Sequence, residues 1–456
     1  MKLSDIPRKL SELETAPSRS LGQNFLHDQN LAQWIVHQLD IQPGDHIVEI
    51  GPGLGALTEF LAEKDVRLTL LEKDRRFISH LRTTFTRPGI TTIAGDALDY
   101  DLRELWGTGP VKVIGNLPYY VSTPLLAKFT SALSPASRLV FTLQLELVRR
   151  LGALPRTKDY GAMTVCVKRR WTTTFLRKLP PSVFYPAPKV DSAVLLLEPR
   201  TGEDFQPLDE ALFERIVRRG FSERRKQLAK LLPDLRADWP HLTRLLGVAE
   251  TVRAEELSLS QWETLVAYAS PQQAQSAEEI FDVVDEHDCV IGAEPRGVVH
   301  VNNLRHRAVH ILIFNATGEL FLQRRSVWKD RNPGLWDSSA AGHVDTGETY
   351  LQAAHRELRE EIGIEVATLT AIGRHRPSEA NGHEFIEVFR ACHEGPFTLA
   401  PTEVETGAFF SLEKIRTWTQ TAPQDFSPVF LQCIQSATSD DHSLCTLFVK
   451  HVIESV

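Results

Sequence analysis

From His46 onward, short β-type runs alternate with helical stretches: "HIVEI", "ALTEFLAEK", "VRLTLLE", "RRFISHLRTTF", "ITTIAGD", "VKVIGN", a helix after Thr123, and "SRLVFTLQ". This alternation implies a parallel sheet with helices on both faces, an α/β architecture. In such sheets ligands bind at the carboxyl ends of the strands. Four marked groups fall there. The first strand runs into "EIGPGLG", with Glu49, Gly51, Gly53 and Gly55; the second ends at Glu72, the third at Asp96, and the fourth in Asn116, Leu117, Pro118 and Tyr119.

The glycine turn reads as GxGxxG/A if Ala56 is counted, so a dinucleotide site stays open at this point. Glu72 stands where an acid can bond ribose hydroxyls, and Asp96 where one can accept from an adenine amino group. "NLPY" favours a different chemistry. An exocyclic adenine amine is a poor nucleophile because its lone pair is delocalised into the ring. The Asn116 side-chain carbonyl and the Leu117 backbone carbonyl can accept its two hydrogens and favour a pyramidal nitrogen, while Pro118 stiffens the loop and Tyr119 stacks on the base. Hydride transfer requires none of this.

"GQNFLHDQNL", "EIGPGLGALT", "LLEKD", "GDAL", "GNLPYYVSTPLL", "DYGAMTV" and "FYPAPKVDSAV" together resemble the ribosomal RNA adenine dimethyltransferases over about residues 18–268. The resemblance implies a Rossmann-like class I methyltransferase fold and S-adenosylmethionine as methyl donor. The implied reaction is N6,N6-dimethylation of adenosines near the 3' end of small-subunit rRNA, with that rRNA or a pre-ribosomal particle as partner. It further implies that Gln23, Asn24 and Leu26 help enclose the methyl donor and that Phe184 stacks the target base opposite Tyr119. Leu145 departs from the pattern, since a basic residue is expected there. A large-subunit rRNA methyltransferase of the same fold and a non-catalytic assembly factor remain the rivals.

Charge indicates where RNA would lie. Residues 149–189 hold ten Lys+Arg and one acid, Asp159; residues 213–230 hold seven bases and two acids. Such clusters suit phosphate contacts, and Arg169, Arg170, Arg224, Arg225 and Lys226 are the candidates. For any one of them a solvated helix face is the simpler reading.

At 456 residues the chain exceeds one ordinary core. Its formal charge of -8 hides an asymmetry: 36 Lys+Arg against 32 Asp+Glu through Ser270, then 15 against 27. The expected division is a methyltransferase domain at 1–208, a small helical RNA-binding subdomain at 209–269, a polar linker at 270–279, and a second domain at 280–456. No stretch suits a membrane span, and the N-terminus lacks the apolar core of a signal peptide, so a cytoplasmic protein is expected. Five scattered cysteines form no metal or disulfide framework and read as buried thiols.

The second half carries "GHVDTGETYLQAAHRELREEIGI" at residues 342–364. Leu351, Ala354, Leu358 and Ile362 make an apolar stripe at helical spacing, while Glu357, Glu360 and Glu361 gather on another face. Crowded carboxylates suit a hard divalent cation, Mg²⁺ or Mn²⁺, which can bridge a diphosphate and activate water. Arg356 can brace a glutamate and Gly363 can end the helix in a left-handed cap. With Gly342 and Glu348, the segment fits the Nudix pattern at every fixed position. The resemblance implies an α/β/α sandwich and hydrolysis of a small-molecule diphosphate of the nucleoside-diphosphate type, with Glu360 in the chemistry.

A finer resemblance, carried by "LRHRAVHILIFN", "PGLWDSSAAGH" and "EVETGAFF", is to the branch that includes isopentenyl-diphosphate isomerase. It implies His300, His306 and His343 as metal ligands and Glu403 as a further ligand or base. That isomerase uses a cysteine where this chain has Ala341, which opposes isomerisation. A nucleotide-sensing module is the other rival. The whole chain reads as a bifunctional fusion.

Overall fold

The computed structural model describes residues 3–18, 21–200, 208–270, 279–326, 329 and 331–439. These fall into two compact units, residues 1–206 with 211–270 and residues 207–210 with 271–456. Most of the expected linker, and Cys445, lie outside the described residues.

In the first unit, β1 (Phe25–Leu26) precedes a seven-stranded sheet. Its strands are β2 (His46–Ile50), β3 (Arg67–Glu72), β4 (Ile90–Ala94), β5 (Val111–Asn116), β6 (Ala136–Gln144), β7 (Trp171–Leu179) and β9 (Ser192–Pro199), in the spatial order β4-β3-β2-β5-β6-β9-β7. β8 (Phe184–Tyr185) pairs with β1, setting Leu26 opposite Phe184. The strands from β4 to β6 pair in parallel, while β9 and β7 add antiparallel at one edge. All five β2 residues are buried, as a central strand covered on both faces requires. The chain runs outward from β2 through β3 to β4, then crosses to β5 on the other side of β2. Ligand crevices form at such a reversal.

Helices Glu210–Gly220, Trp239–Leu246 and Leu259–Ala269 follow. Each buries one apolar stripe, and Gly220 lies so close to the Trp262 ring that a Cβ there would sit 2.6 Å from it.

In the second unit, β10 (Ile280–Val284) and β11 (Val290–Pro295) form a hairpin. A seven-stranded mixed sheet comprises β12 (His306–Phe314), β13 (Leu320–Arg325), β14 (Trp336–Asp337), β15 (Ala340–His343), β16 (Thr370–His375), β17 (Glu384–Cys392) and β18 (Val404–Phe410). Val309, Ile311 and Ile313, two residues apart on β12, share a core with Ala354, Leu358 and Ile362 of helix Tyr350–Ile362. A separate aromatic cluster joins Trp336 and Phe410 to Trp418, Phe426 and Phe430 of the C-terminal helical segments. The result is an α/β/α sandwich.

Two expectations need correction. Leu351 is 46% exposed, and Tyr350, four residues before Ala354, packs against the core in its place. Of the four described cysteines, Cys289 and Cys392 are exposed and Cys166 is half-buried; only Cys433 is a core thiol.

Candidate active sites

The first pocket, about 110 Å³, opens at the carboxyl ends of β2 and β5, at the reversal of strand order. Its lining includes Gln23, Asn24, Leu26, Glu49, Glu72, Asp96 and Asn116. Gly51, Gly53 and Gly55 have φ of 64°, 56° and 87°, a left-handed path that glycine follows without strain. At Gly55 a Cβ would lie 2.8 Å from the Phe85 ring, so this position needs glycine for space as well as for angle.

Hydrogen bonds fix the carboxylates. Glu72 accepts from the backbone N–H groups of Gly53 (2.9 Å) and Asp74 (2.8 Å) and thereby ties the glycine turn to β3. Burial raises its pKa, with those N–H groups opposing. Glu49 accepts from the Thr58 hydroxyl at 2.7 Å, and burial pushes its carboxyl up to about 8. Gln23 donates to Asp74 at 2.9 Å. Asp74 was not anticipated, although its place two residues after Glu72 in "LLEKD" was the available signal. Asp96 holds the Lys73 ammonium at 2.6 Å and the Leu98 N–H at 2.9 Å.

The Asn116 side-chain amide donates to the Asn24 carbonyl at 2.8 Å. Its nitrogen is therefore committed, and among the described residues nothing donates to its Oδ1 or to the Leu117 carbonyl. Pro118 turns the chain, its carbonyl accepting from the Val121 N–H (3.1 Å) and the Ser122 hydroxyl (3.0 Å). The Tyr119 hydroxyl lies 2.7 Å from the Ser192 hydroxyl, which orients a half-buried ring. Phe184 is placed differently from the expectation of an open stacking face. It is 4% exposed and packed in the apolar cluster that includes Leu26, because its strand pairing turns it inward.

The proposed RNA residues divide. Arg169 is corrected: its side chain is buried, paired with Glu263 at 3.0 Å and stacked on Phe213, so it joins the helical segment to the sheet domain. Arg170 is half-buried. Arg224 is exposed but pairs with Glu255 at 2.7 Å and donates to the Lys158 carbonyl at 2.7 Å. Arg225 and Lys226 are exposed, with Glu223 2.8 Å from Lys226. Leu145 is buried in the core at the start of helix Leu145–Gly152, which accounts for an apolar residue there.

The second unit encloses a cavity of about 830 Å³ lined by Glu357, Glu360 and Glu361. Helix Tyr350–Ile362 starts with Thr349 capping the Gln352 N–H and stops at Gly363 in a left-handed cap, φ 67°. Glu361 is buried, accepting from Gln323 (2.9 Å), the Ala341 N–H (2.9 Å) and Lys329 (3.1 Å). Lys329 also pairs with Glu403. Arg356 braces several acids at once: Glu348 at 3.0 Å, Glu357 at 2.6 Å and Glu360 at 3.1 Å. Glu360 stays 58% exposed at its side chain. Burial and then Glu361 push the Glu357 carboxyl up to about 8 despite Arg356, and a bound cation would favour its ionised form. Gly342 leaves the space that the Glu357 carboxylate occupies: a Cβ there would meet Glu357 Oε1. Lys329 was missed because its acidic partners lie 32 and 74 positions away in sequence.

His300, His306 and His343 come together, with ligand atoms within 4.8 Å of one another. Glu384 Oε1 lies 3.5 Å from His306 and 3.4 Å from His343. Burial drives His343 down to about 3, which keeps it neutral and suited to a cation. Glu384 is a residue that sequence reasoning did not single out.

A doubly wound sheet with an acid-lined glycine turn and an Asn-Leu-Pro-Tyr loop at its reversal point defines the first unit as a methyltransferase. A helix of glutamates braced by Arg356 and facing a mixed sheet defines the second as a Nudix domain. Residues 16–270 match the family model described as Ribosomal RNA adenine dimethylase, and the chain belongs to that family. Residues 304–430 match the NUDIX domain, so the chain is a fusion of two enzyme types. Ribosomal RNA small subunit methyltransferase A of Thiobacillus denitrificans is 40% identical over 252 residues, covering 55% of this chain and 97% of that protein. Its counterpart in Chromobacterium violaceum is 38% identical over 259 residues, covering 57% and 98%. The crystal structure of the 23S rRNA methyltransferase ErmE aligns with 54% of this chain and 98% of its own at 25% identity, with a TM-score of 0.44.

Proposed function

We propose that the first unit dimethylates N6 of adenosines near the 3' end of small-subunit rRNA, using S-adenosylmethionine, within a cytoplasmic pre-ribosomal particle. The observation that carries this reading is the Asn116 amide, turned by Asn24 so that Oδ1 faces no internal donor. Gln23, Asn24, Leu26, Glu49, the glycine turn, Glu72 and Asp96 would hold the methyl donor, which supplies an electrophilic methyl group. Asn116 Oδ1 and the Leu117 carbonyl then accept the two amine hydrogens, localising the nitrogen lone pair. Tyr119, held by Ser192, offers its ring to the base. Asp96 must exchange Lys73 for its ligand, and Phe184 must be uncovered if it is to stack.

The second unit, on the same proposal, hydrolyses a small-molecule diphosphate of the nucleoside-diphosphate type. Glu357, Glu360 and Glu361 fit Mg²⁺ or Mn²⁺, since they are clustered carboxylates in excess of their cationic partners; the ion would neutralise phosphate charge and activate water. Ala341 offers no thiol, which counts against isomerisation. The histidine group with Glu384 supports a second cation in the same unit.

Two assays test the pair of readings. Labelled methyl groups are expected to enter separated small ribosomal subunits lacking the modification; label in large subunits alone, or in neither, overturns the first reading. Against a diphosphate panel, EDTA should abolish hydrolysis and Mg²⁺ or Mn²⁺ restore it, whereas tight binding without cleavage would make the unit a sensor.

For RNA contact, the candidates reduce to Arg225 and Lys226, flanked by Arg224 in its bridge to Glu255. Replacing Arg225 and Lys226 with Ala is expected to weaken rRNA binding and to flatten its salt dependence by about 0.9 or less in log–log slope per lost contact. An unchanged slope would assign both to a solvated face.

A further inference from the structure

The cavity of the second unit is lined by nine acidic and five basic side chains, Arg296, Arg325, Lys329, Arg331 and Arg356 among the latter. Four of the five are spoken for. Arg296 pairs with Glu279 (3.4 Å), Arg325 with Asp337 (3.0 Å), Lys329 with Glu361 (3.1 Å) and Arg356 with Glu348 (3.0 Å). Arg331 differs. Among the described residues no carboxylate oxygen comes within ion-pairing distance of its guanidinium and no acceptor takes its N–H groups, yet the residue is half-buried and faces the same cavity as the metal-suited glutamates.

Its place is built by its neighbours. The Arg331 carbonyl accepts from Arg325 Nε (3.2 Å) and from a terminal guanidinium nitrogen of the same side chain (3.1 Å), and Arg325 is itself anchored on Asp337. The guanidinium lies against Gly382, where φ is +70° and a Cβ would meet Arg331 Nη1 at 2.2 Å. Only a residue without a side chain leaves room for it. Glu384 Oε1 is 3.6 Å from that Cβ position on the same side, so the arginine passes beside this acid without pairing to it.

A cavity with more acids than bases repels a diphosphate unless cations receive it. Divalent metal can do so at the glutamates, and a guanidinium offers a planar fork that matches two phosphate oxygens. We propose that Arg331 binds a phosphate group of the diphosphate substrate, an assignment that rests on the reading of this unit as a metal-dependent diphosphate hydrolase. The second anchor for the substrate's negative charge is then a cationic residue outside the 342–364 segment.

The test is calorimetric titration of the full chain with methylenediphosphonate, an uncleavable diphosphate, at saturating Mg²⁺. Arg331→Met is expected to raise Kd about 10- to 100-fold, the range for losing a charged hydrogen-bonded contact. Arg331→Lys should recover part of it, keeping charge without the fork. Mn²⁺ binding without diphosphonate and the thermal midpoint should match wild type, which a purely structural role for Arg331 would not allow. If wild type binds in a Mg²⁺-dependent way and Arg331→Met binds equally well, the assignment is wrong and the hydrolase reading stands. If wild type binds no diphosphonate with Mg²⁺ present, the hydrolase reading fails and takes the assignment with it.

Discussion

Asn116→Ala is expected to lower methyl transfer by about 10² to 10³-fold while leaving affinity for S-adenosylmethionine close to wild type. The magnitude is that of removing one pre-oriented group from a transition state. The asymmetry follows from the two ends of the amide. Its nitrogen is spent on Asn24, 2.8 Å away, and that bond sets the direction of the oxygen before any substrate arrives. Truncation removes the acceptor and frees the Asn24 carbonyl, a backbone group held by the chain on either side, so the pocket keeps most of its shape. Asn116→Asp separates orientation from acceptance: it keeps an oxygen but cannot donate to Asn24, so it should also be slow. Single-turnover rates and equilibrium binding of the methyl donor check both variants. Near-normal turnover by the alanine variant would sink the role assigned to the amide.

Gly342→Ala is expected to abolish metal-dependent hydrolysis, by at least about 10²-fold, with methyl transfer unaffected. A methyl group at this position would occupy the space of the Glu357 carboxylate, 2.0 Å from Oε1. Because the obstructed atoms end a side chain, Glu357 can swing away and the fold can survive; the metal site cannot. Glu360→Gln is the companion variant. Its side chain is 58% exposed, so replacing it removes one ligand charge with little cost to packing. Retention of activity by both variants and in EDTA would exclude the metal mechanism, and turnover with circular dichroism on the same samples distinguishes loss of site from loss of fold.

The chemistry at strand ends was readable because it is local in sequence. Glu72 and Asn116 each close a strand, Glu49 stands one residue before the end of β2 and Asp96 two beyond that of β4, and parallel pairing brings such ends together whatever the details of the loops. The Nudix-type helix was readable for a similar reason, since spacing alone sorts Ala354, Leu358 and Ile362 from the glutamates. What stayed hidden depends on partners remote in the chain. Arg169 sits in a basic run, and only the fold shows Glu263, 94 positions later, drawing it inside. Phe184 reads as a stacking ring until its pairing with Leu26 turns it inward. Leu351 fits the apolar period by its three-residue step to Ala354, yet Tyr350, one position earlier, takes the place against the core. Arg331 carried no sequence signal beyond being one more base before "PGLW"; its distinction lies in what it does not touch.

Lys329 gives the hydrolase unit a resting state. Its ammonium lies between Glu361 and Glu403, so the repulsion between these two acids is already offset in part by the polypeptide itself. A small zinc domain collapses without its ion because the ion is its core. Here the core is apolar and the most deeply buried ligand has a tethered substitute. On the metal-dependent reading proposed above, depletion of divalent ions would silence this half of the protein without dismantling it, and the supply of metal would act as a throttle on its turnover that leaves methyl transfer untouched.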